Sequence, residues 1–341
     1  MFILFISSAA WSLQIFKTGS SIDKITNTKQ AICLAGGGSD DTWADGWKYL
    51  LEQSGGGDVV IIRADGQRGG YESWIYNDEE NHNFPKVNSV TTLSFESSKD
   101  GNQDAVVRAI LNAELIFFAG GDQSLYINWF RDTKMFQVMN YMMHVKKIPV
   151  GGTSAGMALL AGIDYSARYA SPTDNESNVS SADVLNNPTG FFVDLDRTVF
   201  TAPYLGQVIT DTHFSQRSRE GRLVGFMARA VYNNYDNINF KTIKAIASDE
   251  DTAFCYNSSG YGKVFGVGNV FFLKGNRPIE RIKKNSSLDW FGQGLAIKSY
   301  VISAQNQSAR FNIDTWVGLG GHEELWAVNG VNGATSVLER H

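Results

Sequence analysis

Proline, cysteine and long apolar runs are all scarce in this chain, and each shortage removes a class of protein. Six prolines in 341 residues exclude a proline-rich or collagen-like chain. Two cysteines, Cys33 and Cys255, are too few for a disulfide framework and have no zinc-ligand spacing. Each lies in an apolar run, which predicts two buried free thiols. No cluster of Lys or Arg forms a basic patch. With 30 basic against 35 acidic side chains the net charge is −5, so no nucleic-acid partner is expected. No run is long enough to predict a membrane span. Repeats and low-complexity segments are absent too.

What is present is ordinary for a globular protein: 43% hydrophobic and 19% charged residues, enough chain for one large α/β domain or a core with an appendage. The apolar start, Met1 to Ile6, precedes Ser7, Ser8, Ala9 and Ala10. That is the form of an export-signal core with a small-residue cleavage site, without the positively charged leader. The expectation is a truncated export signal, hence a periplasmic or secreted protein. An apolar first strand in a cytoplasmic protein is the alternative.

From residue 30 onward, near-continuous apolar runs alternate with amphipathic ones. Strands are expected at 31–35, 58–64, 89–95, 115–119 and just before Ser154. Helices are expected around Trp43, Trp47, Leu50 and Leu51, and over 102–112. This alternation predicts an α/β fold with a mainly parallel, doubly wound sheet covered on both faces. In such sheets ligands bind beyond the carboxyl ends of the strands. Glycine-rich loops at Gly36, Gly120 and Gly151 all fall there. Residues 164–190 read as a polar surface loop, 217–233 as a helix and 263–273 as a β-hairpin or meander. Three segments follow: 1–29, a core at 30–276, and a β-rich C-terminal extension at 277–341.

Gly152 and Gly156 bracket Ser154 as G-x-S-x-G, the pattern of a strand-to-helix turn that projects a serine hydroxyl. Small neighbours are required because the serine backbone is strained there. A serine nucleophile needs a base, and a third group to orient that base. Of five histidines, His341 is terminal, His82 lies in a polar run and His144 sits among methionines. His322, ahead of Glu323 and Glu324, is a weak metal candidate. His213, at an expected strand end after Ile209 to Thr212, is the candidate base.

Together, Gly-Gly-Thr-Ser-Ala-Gly at 151–156, Asp-Thr-His-Phe at 211–214 and the Arg217, Arg219, Arg222, Leu223 set strongly resemble the cyanophycinase and peptidase E family of serine peptidases. Gly-Gly-Asp-Gln at 120–123 and the stretch from Asp249 to Ala253 resemble cyanophycinase more closely. The resemblance covers residues 30–275. It implies a three-layer α/β/α fold related to class I glutamine amidotransferases, a homodimer, and no metal or organic cofactor. It makes Ser154 the nucleophile, His213 the base and Glu250 the acid partner. Asp211, two residues from His213, is the rival acid, since on an extended strand the two share a face.

Ala155 and Gly121 are the expected oxyanion donors. Asp122, Gln123, Asp211, Thr212, Arg217, Arg219 and Arg222 are the expected substrate-binding residues, although Asp122 also suits a helix N-cap. Cyanophycinases usually carry Asp-Gln-His-Phe, and Thr212 stands where that glutamine would be. The expected activity is hydrolysis of an aspartyl peptide or isopeptide, on a cyanophycin-like polymer cut to β-aspartyl-arginine. An α-aspartyl dipeptidase is the enzyme alternative, and a non-catalytic ligand-binding homologue the alternative of another class.

Overall fold

The structure is a computed structural model that describes residues 13–341 except 66, 170–171, 173–177, 198–199 and 331–336. The expected export signal lies outside the described residues. The first strands are β1 (Gln14–Gly19), β2 (Ala31–Ala35), β3 (Asp58–Arg63), β4 (Ser89–Ser94), β5 (Leu115–Phe118) and β6 (Val150–Thr153). β7 (Ile163–Tyr165), β8 (Leu195–Arg197), β9 (Val208–Asp211), β10 (Lys244–Ser248), β11 (Thr252–Asn257), β12 (Tyr261–Gly266) and β13 (Asn269–Gly275) follow. The chain closes with β14 (Ile297–Ser303), β15 (Arg310–Asn312), β16 (Val317–Leu319), β17 (His322–Asn329) and β18 (Val337–Arg340).

These strands divide between two sheets. The first has the order β1-β4-β3-β5-β6-β2-β11-β12-β15-β16. Its central block β4-β3-β5-β6-β2 pairs in parallel throughout, and every residue of β2 and β5 is buried, as a sheet covered on both faces requires. Helices α1 (Ala44–Gln53) and α2 (Tyr71–Asn77) lie over one face, where Trp43, Trp47 and Leu50 pack with Ile61 and Phe117. The other face carries α3 (Asp104–Leu111), α4 (Gln123–Phe130) and α5 (Lys134–Tyr141) through Val106, Ile127 and Met139. Side chains of this size contribute roughly 1.5–3 kcal/mol each when fully buried.

The second sheet runs β18-β17-β14-β13-β10-β9-β7-β8. Only β9 pairs in parallel here, with β7 and β10. A short helix α6 (Ala155–Ala158) follows β6, and α7 (Ser181–Asn186) and α8 (Glu220–Asn233) cover the outer face of the second sheet through Val184, Leu223 and Phe226. Its inner face shares one core with the first sheet, where Ile246 and Phe272 meet Phe254 and Phe311. Residues beyond 277 add β14, β17 and β18 to the second sheet and β15 and β16 to the first.

Several sequence expectations need correction. The two runs within 263–273 do not pair with each other: β12 joins the first sheet and β13 the second. The stretch expected as a loop at 164–190 includes the end of β7 and also α7, whose Ser180 and Asp183 form a reciprocal capping box. Cys33 and Cys255 are not free thiols. Antiparallel register sets them directly opposite on β2 and β11, their Cα atoms are 4.1 Å apart, and they form a disulfide. Sequence separation of 222 residues concealed that neighbourhood.

Candidate active site

The site forms where β6, β9 and β10 end. Ser154 sits between β6 and α6 at φ 52° and ψ −120°, a conformation that costs a non-glycine residue about 1–3 kcal/mol. The flanking glycines permit it. A Cβ on Gly152 would overlap the Gly156 carbonyl, and one on Gly156 would overlap the Phe118 carbonyl. The Ser154 N–H donates to the Ala35 carbonyl at 3.0 Å, which ties the turn to β2. The helix beyond is a single turn, shorter than the alanine-rich run suggests. As its first residue, Ala155 has an N–H with no intrahelical acceptor. The Gly120–Gly121 loop lies alongside: a Cβ on Gly120 would stand 3.5 Å from Ser154 Cβ, and Gly121 has φ 152°.

His213 lies two residues beyond the last residue of β9, at φ 49°. Its N–H donates to the Gly36 carbonyl at 2.8 Å. The ring packs on Gly37 so closely that any side chain there would overlap it. Nε2 is 2.7 Å from Ser154 Oγ, and Nδ1 is 2.6 Å from Glu250 Oε1. A carboxylate can only accept, so Nδ1 carries the proton and Nε2 accepts from the serine hydroxyl. Burial holds the His213 pKa below its ordinary value, the Glu250 hydrogen bond opposes that shift, and the Arg217 and Arg219 charges reinforce it. The imidazole is therefore neutral at neutral pH.

Glu250 is itself fixed. Its N–H donates to Gln216 Oε1 at 3.0 Å, and its carbonyl accepts from Thr252 Oγ1 at 3.0 Å. The adjacent acids do other work. Asp249 accepts from the N–H groups of Ser215 and Asn269, both at 2.9 Å, and the Asp251 N–H donates to the Gly37 carbonyl at 2.7 Å.

Asp211 does not meet His213. It takes Arg222 in a fork, Nε to Oδ2 at 2.9 Å and Nη2 to Oδ1 at 2.5 Å. The face-sharing expectation fails because the backbone turns out of the strand at His213, so the two-residue alternation no longer applies. Arg219 and Arg222 are buried, and Arg219 Nη1 donates to the Thr212 carbonyl at 2.9 Å. Burial, with Arg222 alongside, pulls Arg219 down to about 9, against the attraction of Asp211. Arg217 is different: its side chain is half exposed, with Nε 3.6 Å from Glu250 Oε1. Only Arg222 belongs to the helix, since α8 begins at Glu220. Asp122 caps α4 by accepting from the Ser124 N–H at 2.7 Å, and Gln123 Nε2 donates to the Tyr165 carbonyl at 2.8 Å.

Sequence comparison places relatives beside this geometry. The cyanophycinase of Trichormus variabilis is 28% identical over 169 residues, 49% of this chain and 48% of its own length. That of Synechococcus elongatus is 27% identical over 184 residues, 54% of this chain and 49% of its own. Over these stretches the chain resembles cyanophycinases. It spans about half the length of the curated relatives it matches. No family model matches it. Among solved structures, a peptidase from an acI-B1 Actinobacterium aligns at 16% identity and a TM-score of 0.47, covering 72% of this chain and 90% of that one.

Three neighbours of the site went unread in the sequence. Gln216 holds Glu250, Asn178 accepts from Arg219 Nη2 at 3.3 Å, and the Tyr165 ring lies 5.6 Å from the Arg222 guanidinium carbon. None of them carries a local pattern. His322, the weak metal candidate, is exposed on β17 with Nε2 3.4 Å from Glu324 Oε1. No group of acids, histidines or cysteines among the described residues is arranged to hold a metal ion. No described helix is long and apolar enough to cross a membrane.

Proposed function

We propose that this chain is a serine peptidase that hydrolyses aspartyl peptide or isopeptide bonds. The observation that carries the reading is the hydrogen-bonded series Ser154, His213, Glu250, with the serine on a strained turn. Ser154 Oγ attacks the carbonyl carbon as its proton passes to His213 Nε2. The N–H groups of Ala155 and Gly121 take the oxyanion, each backbone donor being worth roughly 2.7–4 kcal/mol of barrier. The imidazolium, stabilised by Glu250, returns the proton to the departing nitrogen as the C–N bond breaks. Water then attacks the acyl ester and gives its proton to His213, which passes it to the Ser154 oxygen as that bond breaks.

Arg217 is a half-exposed cation beside Glu250 and is suited to a substrate carboxylate. The Asp211–Arg222 pair, with Arg219, acts as the buried support beneath it. The names of the relatives favour cyanophycin, a polyaspartate backbone bearing arginine on side-chain amides, as the substrate; β-aspartyl-arginine as the product and a homodimer as the assembly rest on the resemblance of the sequence motifs alone. Thr212 favours a second reading. Its short side chain lies 3.4 Å from Arg219 Nη1 and lacks the reach of the glutamine usual in cyanophycinases, which suits an α-aspartyl dipeptidase. The test is incubation of purified protein with cyanophycin and matched α- and β-aspartyl peptides, with products identified by mass spectrometry. Release of β-aspartyl-arginine supports the first reading and cleavage of α-linked peptides alone the second. Turnover of neither would leave a ligand-binding homologue.

A further inference from the structure

Core strands and strands of the C-terminal extension together build a cationic cavity remote from Ser154. Lys244, Lys274 and Lys298 stand directly opposite one another on β10, β13 and β14, so their side chains share one face of the second sheet. Adjacent strands are about 4.8 Å apart, and like charges at directly opposed positions are destabilising. All three lysines are half-buried, and none of their ammonium groups forms an ion pair or hydrogen bond among the described residues. The Lys244 ammonium lies 4.6 Å from the centre of the Trp316 ring. Burial and the neighbouring Lys274 lower its pKa, with Asp314 opposing.

Trp316 supplies the second observation. It is 7% exposed, and its indole N–H is buried with no acceptor. Indole nitrogen can only donate, and leaving a buried donor unmet is destabilising. Trp316, Lys274, Lys298, Phe272 and Tyr300 line a cavity of about 170 Å³, with the exposed Glu323 as the acid on its wall. Crowded cations beside an unmet buried donor make a place for an acceptor-rich anion. The row lies away from the site described above: Lys244 opens β10, whereas Glu250 follows the opposite end of that strand.

We propose that this cavity binds a phosphate group, held by Lys274, Lys298 and the Trp316 indole N–H, with Lys244 completing the charge. The ligand is inorganic phosphate or a small organic phosphate.

The test is titration of the full chain with sodium phosphate and, separately, glycerol 3-phosphate, each against sodium chloride at matched ionic strength. Thermal midpoint and the ¹⁵N indole resonance lost in Trp316→Phe are the readouts. Saturable stabilisation and a shift of that resonance by either phosphate, absent with chloride, are expected. Stronger binding of glycerol 3-phosphate identifies an organic phosphate as the ligand, and equal or weaker binding identifies the free ion. The Lys274→Gln/Lys298→Gln double variant should bind at least roughly tenfold more weakly. Equal responses to phosphate and chloride, an unmoved Trp316 resonance, or undiminished binding in the double variant would overturn the proposal. If the double variant does not fold, the wild-type resonance decides alone.

Discussion

Two constellations leave the same short stretch of chain and end in opposite conditions. Asp211, the last residue of β9, points into a closed clamp in which it and Arg222 are each 3% exposed. His213, two residues on, joins Ser154 to Glu250, whose side chain is 31% exposed. The clamp is a finished ion pair, with a bidentate fork to its carboxylate and Arg219 packed beside it. The relay has an accepting nitrogen aimed at a hydroxyl and an opening to solvent. The left-handed backbone of His213 itself sends the two side chains in different directions. A carboxylate near a histidine in sequence is thus no guide to which carboxylate orients it, and burial distinguishes a support from a group that exchanges protons.

This contrast can be broken most severely at the relay. His213→Ala should lower kcat by about 10⁴-fold or more, with the thermal midpoint little changed. Activity close to wild type would remove His213 as the base. Glu250→Gln should lower kcat by up to about 10⁴-fold, since an amide no longer fixes the imidazole tautomer. Asp211→Asn should act in the other direction, costing about 3–5 kcal/mol of stability by leaving Arg222 unpaired. Folded Asp211→Asn protein should retain the larger share of kcat. The reverse ranking in a paired kinetic and denaturation measurement would exchange the two roles.

A smaller effect is expected at Arg217, whose charge helps to depress the His213 pKa. The proposed mechanism works through neutral imidazole, so kcat/KM should rise with pH through a value below the ordinary 6.5 for histidine. Arg217→Gln should move that acid limb upward. An unshifted pH profile would remove the proposed coupling. The smallest effect on turnover belongs to the frame that both constellations share. Cys33 lies on the strand that leads to Gly37, and Cys255 on the strand that follows Glu250. Replacing both with Ala should lower stability by about 2–5 kcal/mol and leave kcat of the folded protein nearly unchanged. Two alkylatable thiols in the unreduced protein would contradict the bond.

The parts of the site legible in the sequence are those set by local sterics. Gly152 and Gly156 are demanded by the carbonyls they approach, so Ser154 could be singled out from five consecutive residues. The apolar runs of β2, β3, β5 and β6 likewise announce a buried parallel block. What escaped depends on distant parts of the chain. Glu250 and Asp211 could not be separated by pattern, because the turn at His213 undoes strand alternation. Cys33 and Cys255 meet only through sheet register. β12 and β13 look like a hairpin until the chain crosses between sheets. The arginines, expected to open a helix, mostly precede it, and two of them are buried against Asp211 or the Thr212 carbonyl.

The most direct test of the account is turnover of cyanophycin and α- and β-aspartyl peptides by wild-type and Ser154→Ala protein, read by mass spectrometry of the products. The account predicts hydrolysis of at least one of these substrates by the wild type and none above background by the variant, with matching melting curves. Hydrolysis retained in Ser154→Ala would contradict it.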